Sequence, residues 1–319
     1  MHYLVLVILL FVTEWVYFKI ADKFNIIDKP NERSSHSEVT LRGGGIVFYF
    51  AVMAFFLYSG FEYPWFFLGL TLITLISFLD DVFTLSNKIR LFIHLVSVLL
   101  MFQQWGLFDL SVIWILLSLI VVIGTINAYN FMDGINGITA LYSLAVLGLL
   151  AIVNLQVNFI DPSLIYYSII GTVVFGFFNI RVKAKCFAGD VGSVSMAFIV
   201  LFMLGMLLIK TENFIYILFL AIYGIDTVWT IFRRALKKEN IFKAHRSHLY
   251  QLLSNEAKKN KLAVSVAYAV IQFIVGYLVI AVSDCSVTTQ ILFGIGLLFG
   301  LSAVYLVLKR SLIKKYNIQ

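Results

Sequence analysis

The chain has 319 residues, of which 61% are hydrophobic and 13% are charged, and its net charge is +7. Soluble globular domains are about one quarter charged, so this composition excludes an ordinary soluble fold. The positive charge lies in short segments between long apolar stretches, which indicates membrane orientation and attraction to anionic membrane lipid rather than nucleic-acid binding.

Apolar stretches long enough to cross a bilayer, for which about 20 residues are needed, recur along the whole chain. Eleven of them start near Tyr3, Gly45, Trp65, Ile89, Leu110, Gly137, Ser163, Ser193, Phe214, Leu262 and Gln290. The first has no basic residue before it and no small-residue cleavage site after it, so we expect a membrane helix and not a signal peptide. The sequence therefore predicts one all-α, polytopic membrane domain of about eleven transmembrane helices over residues 1–319.

The lysines and arginines predict how these helices are oriented. If the N-terminus is outside, the inward segments hold 23 of the 24 basic residues and only Lys210 lies outside. Basic residues concentrate in cytoplasmic loops, so we expect the N-terminus outside and the C-terminus in the cytoplasm. The five inward loops then lie near residues 21–43, 80–89, 127–137, 181–192 and 234–261.

The first inward loop contains Arg33 and His36 and ends in the triplet Gly43–Gly45, at the start of the second apolar stretch. Backbone amides at a helix start suit a phosphate group, and Gly44 lets a ligand approach closely. Glycines also let two membrane helices pack closely. The triplet alone does not decide between these alternatives.

The second inward loop begins with Asp80 and Asp81, at the end of the third apolar stretch, and continues with Lys88 and Arg90. Adjacent carboxylates repel each other, and the C-terminus of a helix disfavours negative charge. A solvated helix end would explain the pair, but its position favours a bound cation or ligand.

The third inward loop contains Asn127, Asn130, Asp133 and Asn136, spaced by three residues. A helix that continues through Asp133 brings these side chains near one face. Their oxygens suit coordination of a hard cation and hydrogen bonding of a sugar or base. Turn formation explains Asp133 and Asn136, which each precede a glycine, but not Asn127 and Asn130.

The fourth and fifth inward loops add acidic and basic groups. Asp190, on the turn Gly189–Ser193, either caps the following helix or binds Mg²⁺. The fifth loop carries His245, Arg246 and His248, whose guanidinium and imidazole groups suit a diphosphate. Zinc is disfavoured there because no third ligand is nearby in the sequence.

Taken in order on one predicted side of the membrane, these motifs resemble those of the polyprenyl-phosphate N-acetylhexosamine-1-phosphate transferases of glycosyltransferase family 4. The motifs are Asp28–His36, Gly43–Gly45, Asp80–Asp81, Asn127–Gly137, Gly189–Ser193 and His245–His248. The resemblance implies transfer of a sugar-1-phosphate from a UDP-activated N-acetylated sugar to undecaprenyl phosphate, which gives undecaprenyl diphosphate-sugar and UMP. It also implies a bacterial cytoplasmic membrane protein whose active site faces the cytoplasm.

The resemblance also implies roles for individual residues. Asp190 matches the principal Mg²⁺ ligand, with Mn²⁺ as a substitute ion, and Asn130 lies beside the metal or the diphosphate. Asp80 and Asp81 match the acidic pair near the lipid phosphate, and with Asp133 they form the expected catalytic set. The expected substrate contacts are Arg33, His36, Gly44, Lys88, Arg90, Asn127, Asn130, His245, Arg246 and His248.

Two positions depart from the family pattern. Leu41 stands where many relatives have proline, which concerns loop geometry, and Asn136 stands where many have aspartate, which argues against a metal or base role there. The motif of the fifth loop is similar to the branch that begins O-antigen or capsule glycans. The sequence does not determine which UDP-sugar is used, which glycan is built, or whether the chain forms a homodimer.

The main alternative function is transport of a lipid-linked sugar or a nucleotide sugar. Transporters place polar groups at the bilayer midplane on broken helices, whereas the clearest intramembrane acids here are Glu14 and Asp226. These two acids either hydrogen-bond within the bundle or line a lipid groove. A phosphatidyl-alcohol transferase is a second enzyme alternative, but its further spaced acids after Asp133 are missing. Both comparisons favour the sugar-phosphate transferase.

Overall fold

The computed structural model describes residues 2–30, 38–83, 85–240 and 246–318. The helices are α1 His2–Lys23, α2 Val47–Tyr58, α3 Pro64–Phe83, α4 Asn87–Trp105, α5 Val112–Met132, α6 Ile138–Val157, α7 Pro162–Asn179, α8 Gly189–Thr211, α9 Ala221–Leu236, α10 Leu249–Gln251, α11 Lys261–Val282 and α12 Val287–Tyr316. Two short strands, β1 Ile27–Asp28 and β2 Thr40–Leu41, pair in antiparallel fashion. Short 3₁₀ turns over Gly44–Ile46 and Phe214–Leu220 lead into α2 and α9.

The helices confirm the predicted all-α, polytopic membrane fold. Nine helices within the described residues are long and apolar enough to cross a membrane. The other two predicted crossings coincide with the shorter apolar helix Gly44–Tyr58 and with α4. A helix satisfies its backbone hydrogen bonds within itself, which is what an apolar segment needs in lipid.

Helix α8 lies at the centre of the bundle and packs against α3, α5 and α6. It is buried around its whole circumference from Val191 to Gly205, and its side chains there are mostly apolar, as expected for a helix that other helices surround. By contrast, α12 is apolar but few of its residues are buried, as expected for a helix at the lipid boundary. The central position of α8 places its first turn, with Asp190, in the middle of one end of the bundle.

The first and fourth inward loops are joined by backbone contacts. Leu41 of β2 pairs with Cys186 in a parallel bridge, and the Phe187 amide donates to the Leu41 carbonyl at 2.8 Å. A Cβ atom added at Gly45 would lie 2.3 Å from the Cα of Gly192, so only glycine allows this contact. The loop before α2 is therefore held against the first turn of α8.

Gly44 takes part in the same junction. It is buried, and its amide donates to the Phe187 carbonyl at 2.9 Å. A Cβ at this position would lie 2.9 Å from a carboxylate oxygen of Glu14. The amide predicted to approach a phosphate is thus used by the protein itself, and the structure favours the packing alternative for the glycine triplet.

Helix α9 follows a 3₁₀ turn, and a side chain of α11 supports that break. The Gln272 amide accepts from the Ile222 backbone amide at 3.0 Å and donates to the Leu218 carbonyl at 3.1 Å. Backbone groups freed by a helix break need such partners in an apolar medium. The supported break sets the direction of α9, which carries Asp226 toward the fifth loop.

Candidate active site

An ion-paired cluster joins the first, second and fourth inward loops. The Arg42 guanidinium contacts Asp81 at 2.7 Å and Asp190 at 3.3 Å. The Asp81 carboxylate also accepts from the backbone amides of Asp190 and Val191, at 3.1 and 3.0 Å. Asp81 therefore caps the N-terminus of α8 from a neighbouring helix, where a negative charge is favoured.

The cluster continues on the other side of Asp190. Arg90 of α4 contacts Asp80 at 2.7 Å through one nitrogen and Asp190 at 3.3 Å through another. The second oxygen of Asp80 accepts from the Leu85 amide at 2.7 Å. The result is a row of alternating charge, which we call the charged row, composed of Asp81, Arg42, Asp190, Arg90 and Asp80.

The three carboxylates of the charged row differ in access to solvent. The side chains of Asp81, Asp80 and Asp190 are 0%, 9% and 19% exposed, respectively. Asp190 also has the longer contacts, at 3.3 Å to both guanidinium groups. Asp190 is thus the carboxylate with the most freedom to bind a further group, whereas Asp81 is enclosed by protein donors.

The third inward loop meets the charged row through α8. The Asn130 amide donates to the Ser193 hydroxyl at 3.1 Å, one turn after Asp190. Asp133 accepts from the Thr139 hydroxyl at 2.6 Å, and it lies close enough to Asp190 for the two charges to interact. Burial raises the pKa of Asp133 from 3.8 to about 6.

The raised pKa of Asp133 predicts a pH-dependent stability. The folded protein favours the protonated carboxyl, so this stabilisation is complete below pH 4 and is lost as the pH rises through about 6. A shift of about two pKa units corresponds to at most about 3 kcal/mol, before screening by solvent. Asp133→Asn removes this titration and keeps an acceptor for Thr139.

We expect the unfolding free energy of the original protein to fall relative to that of Asp133→Asn between pH 4 and pH 7. Unfolding in mixed detergent micelles with a chelator present, followed at several pH values, measures this difference. If the free energies of unfolding of the two proteins changed with pH in parallel, the raised pKa of Asp133 would be wrong.

The fifth inward loop is anchored on Asp226 of α9. This carboxylate is 1% exposed and accepts from the Leu249 amide at 3.0 Å and the Tyr268 hydroxyl at 2.7 Å. His248 Nδ1 lies 3.3 Å from the same carboxylate. Asp226 is therefore a structural residue within the bundle, as one of the two predicted alternatives proposed.

The anchored loop reaches the third inward loop. The Tyr250 hydroxyl donates to the Phe131 carbonyl at 2.8 Å, and the His248 and Phe131 rings lie 6.4 Å apart. A Cβ at Gly134 would lie 2.2 Å from the Tyr250 hydroxyl, so glycine lets this tyrosine approach. His248 is consequently placed next to the loop that carries Asp133.

The other intramembrane acid, Glu14, is also enclosed by protein. It is fully buried, and one of its oxygens lies 3.6 Å from the Cys186 thiol, beneath the glycine triplet. One turn later, Tyr17 donates to the Arg42 carbonyl at 2.6 Å. Helix α1 thus supports Arg42 from below, and Glu14 does not line a lipid groove.

The remaining predicted residues have varied positions. Lys88 is exposed in the first turn of α4, and Asn127 is exposed on α5, where its amide donates to the Ile123 carbonyl at 2.9 Å. Arg246 is partly buried, with a guanidinium nitrogen 4.0 Å from Glu256. The predicted contacts Arg33, His36 and His245 lie outside the described residues.

Two residues of the site have roles that the sequence did not predict. In the sequence, Arg42 is one of the 23 basic residues of the inward segments, and the structure shows that it bridges Asp81 and Asp190. Asn136 was discussed only as a departure from the family pattern, and its amide donates to the Arg181 and Val182 carbonyls at 2.8 and 3.1 Å. In the sequence, the position of Arg42 directly before the glycine triplet is the feature that could have indicated its role in the site.

Comparison with known proteins finds a family match over part of the chain and two similar proteins. Residues 63–210, which include most of the charged row, match the family described as glycosyl transferase family 4. The chain is 27% identical over 276 residues to a Bacillus subtilis (strain 168) protein named "Probable undecaprenyl-phosphate N-acetylglucosaminyl 1-phosphate transferase", covering 79% of this chain and 76% of the relative. Both findings agree with the resemblance of the chain to the polyprenyl-phosphate N-acetylhexosamine-1-phosphate transferases of glycosyltransferase family 4.

A second relative of the chain is the Yersinia pestis protein named "Undecaprenyl-phosphate alpha-N-acetylglucosaminyl 1-phosphate transferase". It is 27% identical over 262 residues, which cover 74% of this chain and 71% of the relative. Both relatives are named as sugar-phosphate transferases, which favours an enzyme of this class over the transporter alternative.

Proposed function

We propose that this protein transfers an N-acetylated sugar-1-phosphate from a UDP-sugar to undecaprenyl phosphate. An oxygen of the lipid phosphate attacks the phosphorus that carries the sugar. The bond from that phosphorus to the bridging oxygen breaks, and UMP leaves with the bridging oxygen. The products are undecaprenyl diphosphate-sugar and UMP, and the lipid product begins a cell-envelope glycan, of the O-antigen or capsule type.

The charged row is the observation that carries this proposal. It holds three carboxylates and two guanidinium groups at one end of a bundle of apolar helices. A lipid phosphate reaches only the level of the headgroups, and a nucleotide sugar approaches from water, so the two anions meet at such a boundary. Both relatives are named for a transfer of this kind.

We propose that Asp190, with Asn130 nearby, would hold Mg²⁺ together with the diphosphate. The described part of the chain has no group of three His, Cys, Asp or Glu side chains arranged around one position. Proteins that bind Mg²⁺ together with a diphosphate usually supply only one or two carboxylates. Asp190 fits best, since it is the most exposed carboxylate of the charged row. Asn130 is held near it, because its amide donates to Ser193, which lies one helical turn after Asp190 on α8. A bound Mg²⁺ would neutralise charge on the diphosphate.

The guanidinium groups of Arg42 and Arg90 flank Asp190 and are 35% and 30% exposed. Their remaining N–H groups are available to phosphate oxygens, where charge develops during the transfer. A phosphate monoester has a second pKa of about 6, so a strong general base is unnecessary. Asp81 has no exposed side-chain surface, which supports direct attack by the lipid phosphate and not a covalent aspartyl-phosphate.

The orientation belongs to the same proposal. The charged row lies at the end of the bundle where the basic segments also lie, including Arg42, Arg90 and Lys185. Basic residues flank the cytoplasmic ends of membrane helices. We place this end in the cytoplasm of a bacterium, at the inner face of the cytoplasmic membrane.

An assay with purified protein tests the proposed reaction. The protein in detergent is mixed with undecaprenyl phosphate, Mg²⁺ and one UDP-sugar at a time, and UMP release is measured. We expect release with UDP-N-acetylglucosamine or another UDP-N-acetylated sugar, and none when the lipid is omitted. Failure to release UMP with every UDP-N-acetylated sugar would refute the proposal.

A further inference from the structure

An open cavity of about 470 Å³ lies beside the β1–β2 hairpin. Its walls come from three segments: the inner end of α1 with Trp15, Lys19 and Asp22, the hairpin with Thr40, and the segment before α8 with Lys185. Its described lining includes no member of the charged row. The cavity is therefore a separate candidate site.

The charged groups around the cavity suit a singly charged anion. Lys19 and Lys185 are exposed and line it together with Asp22, so their summed formal charge is +1. The ammonium group of Lys19 lies 5.5 Å from the centre of the Trp15 ring. Tryptophan and lysine near the end of a membrane helix mark the headgroup level of the bilayer. The cavity thus opens where lipid headgroups lie.

Apolar residues complete the cavity on the side of the hairpin. Ile27 and Val39 line it, and Val39 is 59% exposed. A small soluble anion would leave these side chains uncovered, whereas the first part of an acyl chain would cover them. The lining therefore combines contacts for a charged group with contacts for a hydrocarbon chain.

We propose that this cavity binds the headgroup of an acidic glycerophospholipid such as phosphatidylglycerol. The single negative charge of its phosphodiester would lie between Lys19 and Lys185, and Asp22 would accept hydrogen bonds from headgroup hydroxyls. Phosphatidylethanolamine has no net charge and lacks those hydroxyls. The net positive charge of the lining favours the acidic lipid.

The cavity shares its walls with segments that hold the charged row. Leu41 lines the cavity and directly precedes Arg42, and Lys185 directly precedes Cys186, which pairs with Leu41. A lipid that contacts both Lys19 and Lys185 joins α1 to the segments leading to Arg42 and Asp190. We infer that bound acidic lipid stabilises the arrangement of the charged row and thereby raises the transfer rate. The effect on the rate rests on the proposed function.

Lipid binding is tested first without any enzymatic readout. Purified protein in detergent is titrated with phosphatidylglycerol, and the lipid-bound fraction is measured by native mass spectrometry. One lysine near an anionic lipid contributes about 1 kcal/mol, which is about fivefold in affinity. We expect Lys19→Gln and Lys185→Gln each to weaken binding about fivefold, and the double variant about 25-fold.

Lys23→Gln is the matched control, because Lys23 ends the same helix but does not line the cavity. It should bind phosphatidylglycerol as the original protein does, and phosphatidylethanolamine should bind more weakly to both. Equal weakening by Lys23→Gln would indicate general surface attraction and overturn the site. Competition by free glycerol phosphate would show a site for soluble anions instead. Lys19 is exposed, so Lys19→Gln tests the site even if the Lys185 variant fails to fold.

The rate effect is measured in nanodiscs of phosphatidylcholine with and without phosphatidylglycerol. We expect phosphatidylglycerol to raise UMP release by the original protein and Lys23→Gln, but not by the Lys19/Lys185 double variant. Equal stimulation of the double variant would refute the link to the charged row. Absence of UMP release in every lipid would refute the proposed reaction, and the binding measurement would still decide the lipid site.

Discussion

Asp190→Asn is expected to lower UMP release by about 10²- to 10³-fold, which is the range found when one polar group that stabilises a transition state is removed. Asparagine keeps the shape of the side chain but removes the charge between Arg42 and Arg90. It also weakens the proposed Mg²⁺ ligand, so the variant should need more Mg²⁺ to reach half of its maximal rate. UMP release measured over a range of Mg²⁺ concentrations gives both quantities.

The folded state should be little affected by this change. The contacts of Asp190 are long and partly exposed, and pairs of that kind contribute about 1 kcal/mol or less. Asp109→Asn is the matched control, because Asp109 is an exposed acid just beyond the opposite end of α4. Turnover of Asp190→Asn within a few fold of the original protein, with an unchanged Mg²⁺ dependence, would remove Asp190 from the metal site.

Asp226→Ala is expected to lower the free energy of unfolding by about 3–5 kcal/mol, because buried partners lose their acceptor. The Leu249 amide, the Tyr268 hydroxyl and the Tyr305 hydroxyl all contact this carboxylate, at 3.0, 2.7 and 3.0 Å. Lys309 is 3% exposed and donates to Tyr305, so the variant also buries a positive charge without a nearby anion. The fifth loop should detach, and UMP release should fall with it.

Unfolding in mixed detergent micelles, followed by circular dichroism, measures the loss of stability. Tyr268→Phe is the matched control, since it removes one hydrogen bond to the same carboxylate and should cost about 1 kcal/mol. If Asp226→Ala destabilised the protein no more than Tyr268→Phe does, Asp226 would not be the anchor of the loop.

The membrane architecture could be predicted from the sequence because it depends on properties of single segments. An apolar stretch of sufficient length forms a helix in lipid regardless of its neighbours. The same reasoning located Asp80, Asp81 and Asp190 at the ends of apolar stretches, where isolated acids are unusual. The structure places all three in one charged row.

The pairing within the charged row could not be predicted in the same way. Arg42 and Asp190 are 148 positions apart, and their contact depends on the packing of Gly45 against Gly192. Gly44 shows the same difficulty, since a glycine that approaches a ligand and one that approaches another helix look identical in sequence. Asn136 has the side chain of a ligand but donates to backbone carbonyls.

The sequence by itself determined that the chain is a bundle of membrane helices and that its polar chemistry lies at one end. Partition between water and lipid acts on each segment separately, so it can be inferred along the chain. Only the tertiary structure decided which acid faces which base, that Asp81 is enclosed, and that Asp226 holds the fifth loop. These contacts form between segments far apart in the chain, and close packing of several helices sets their distances.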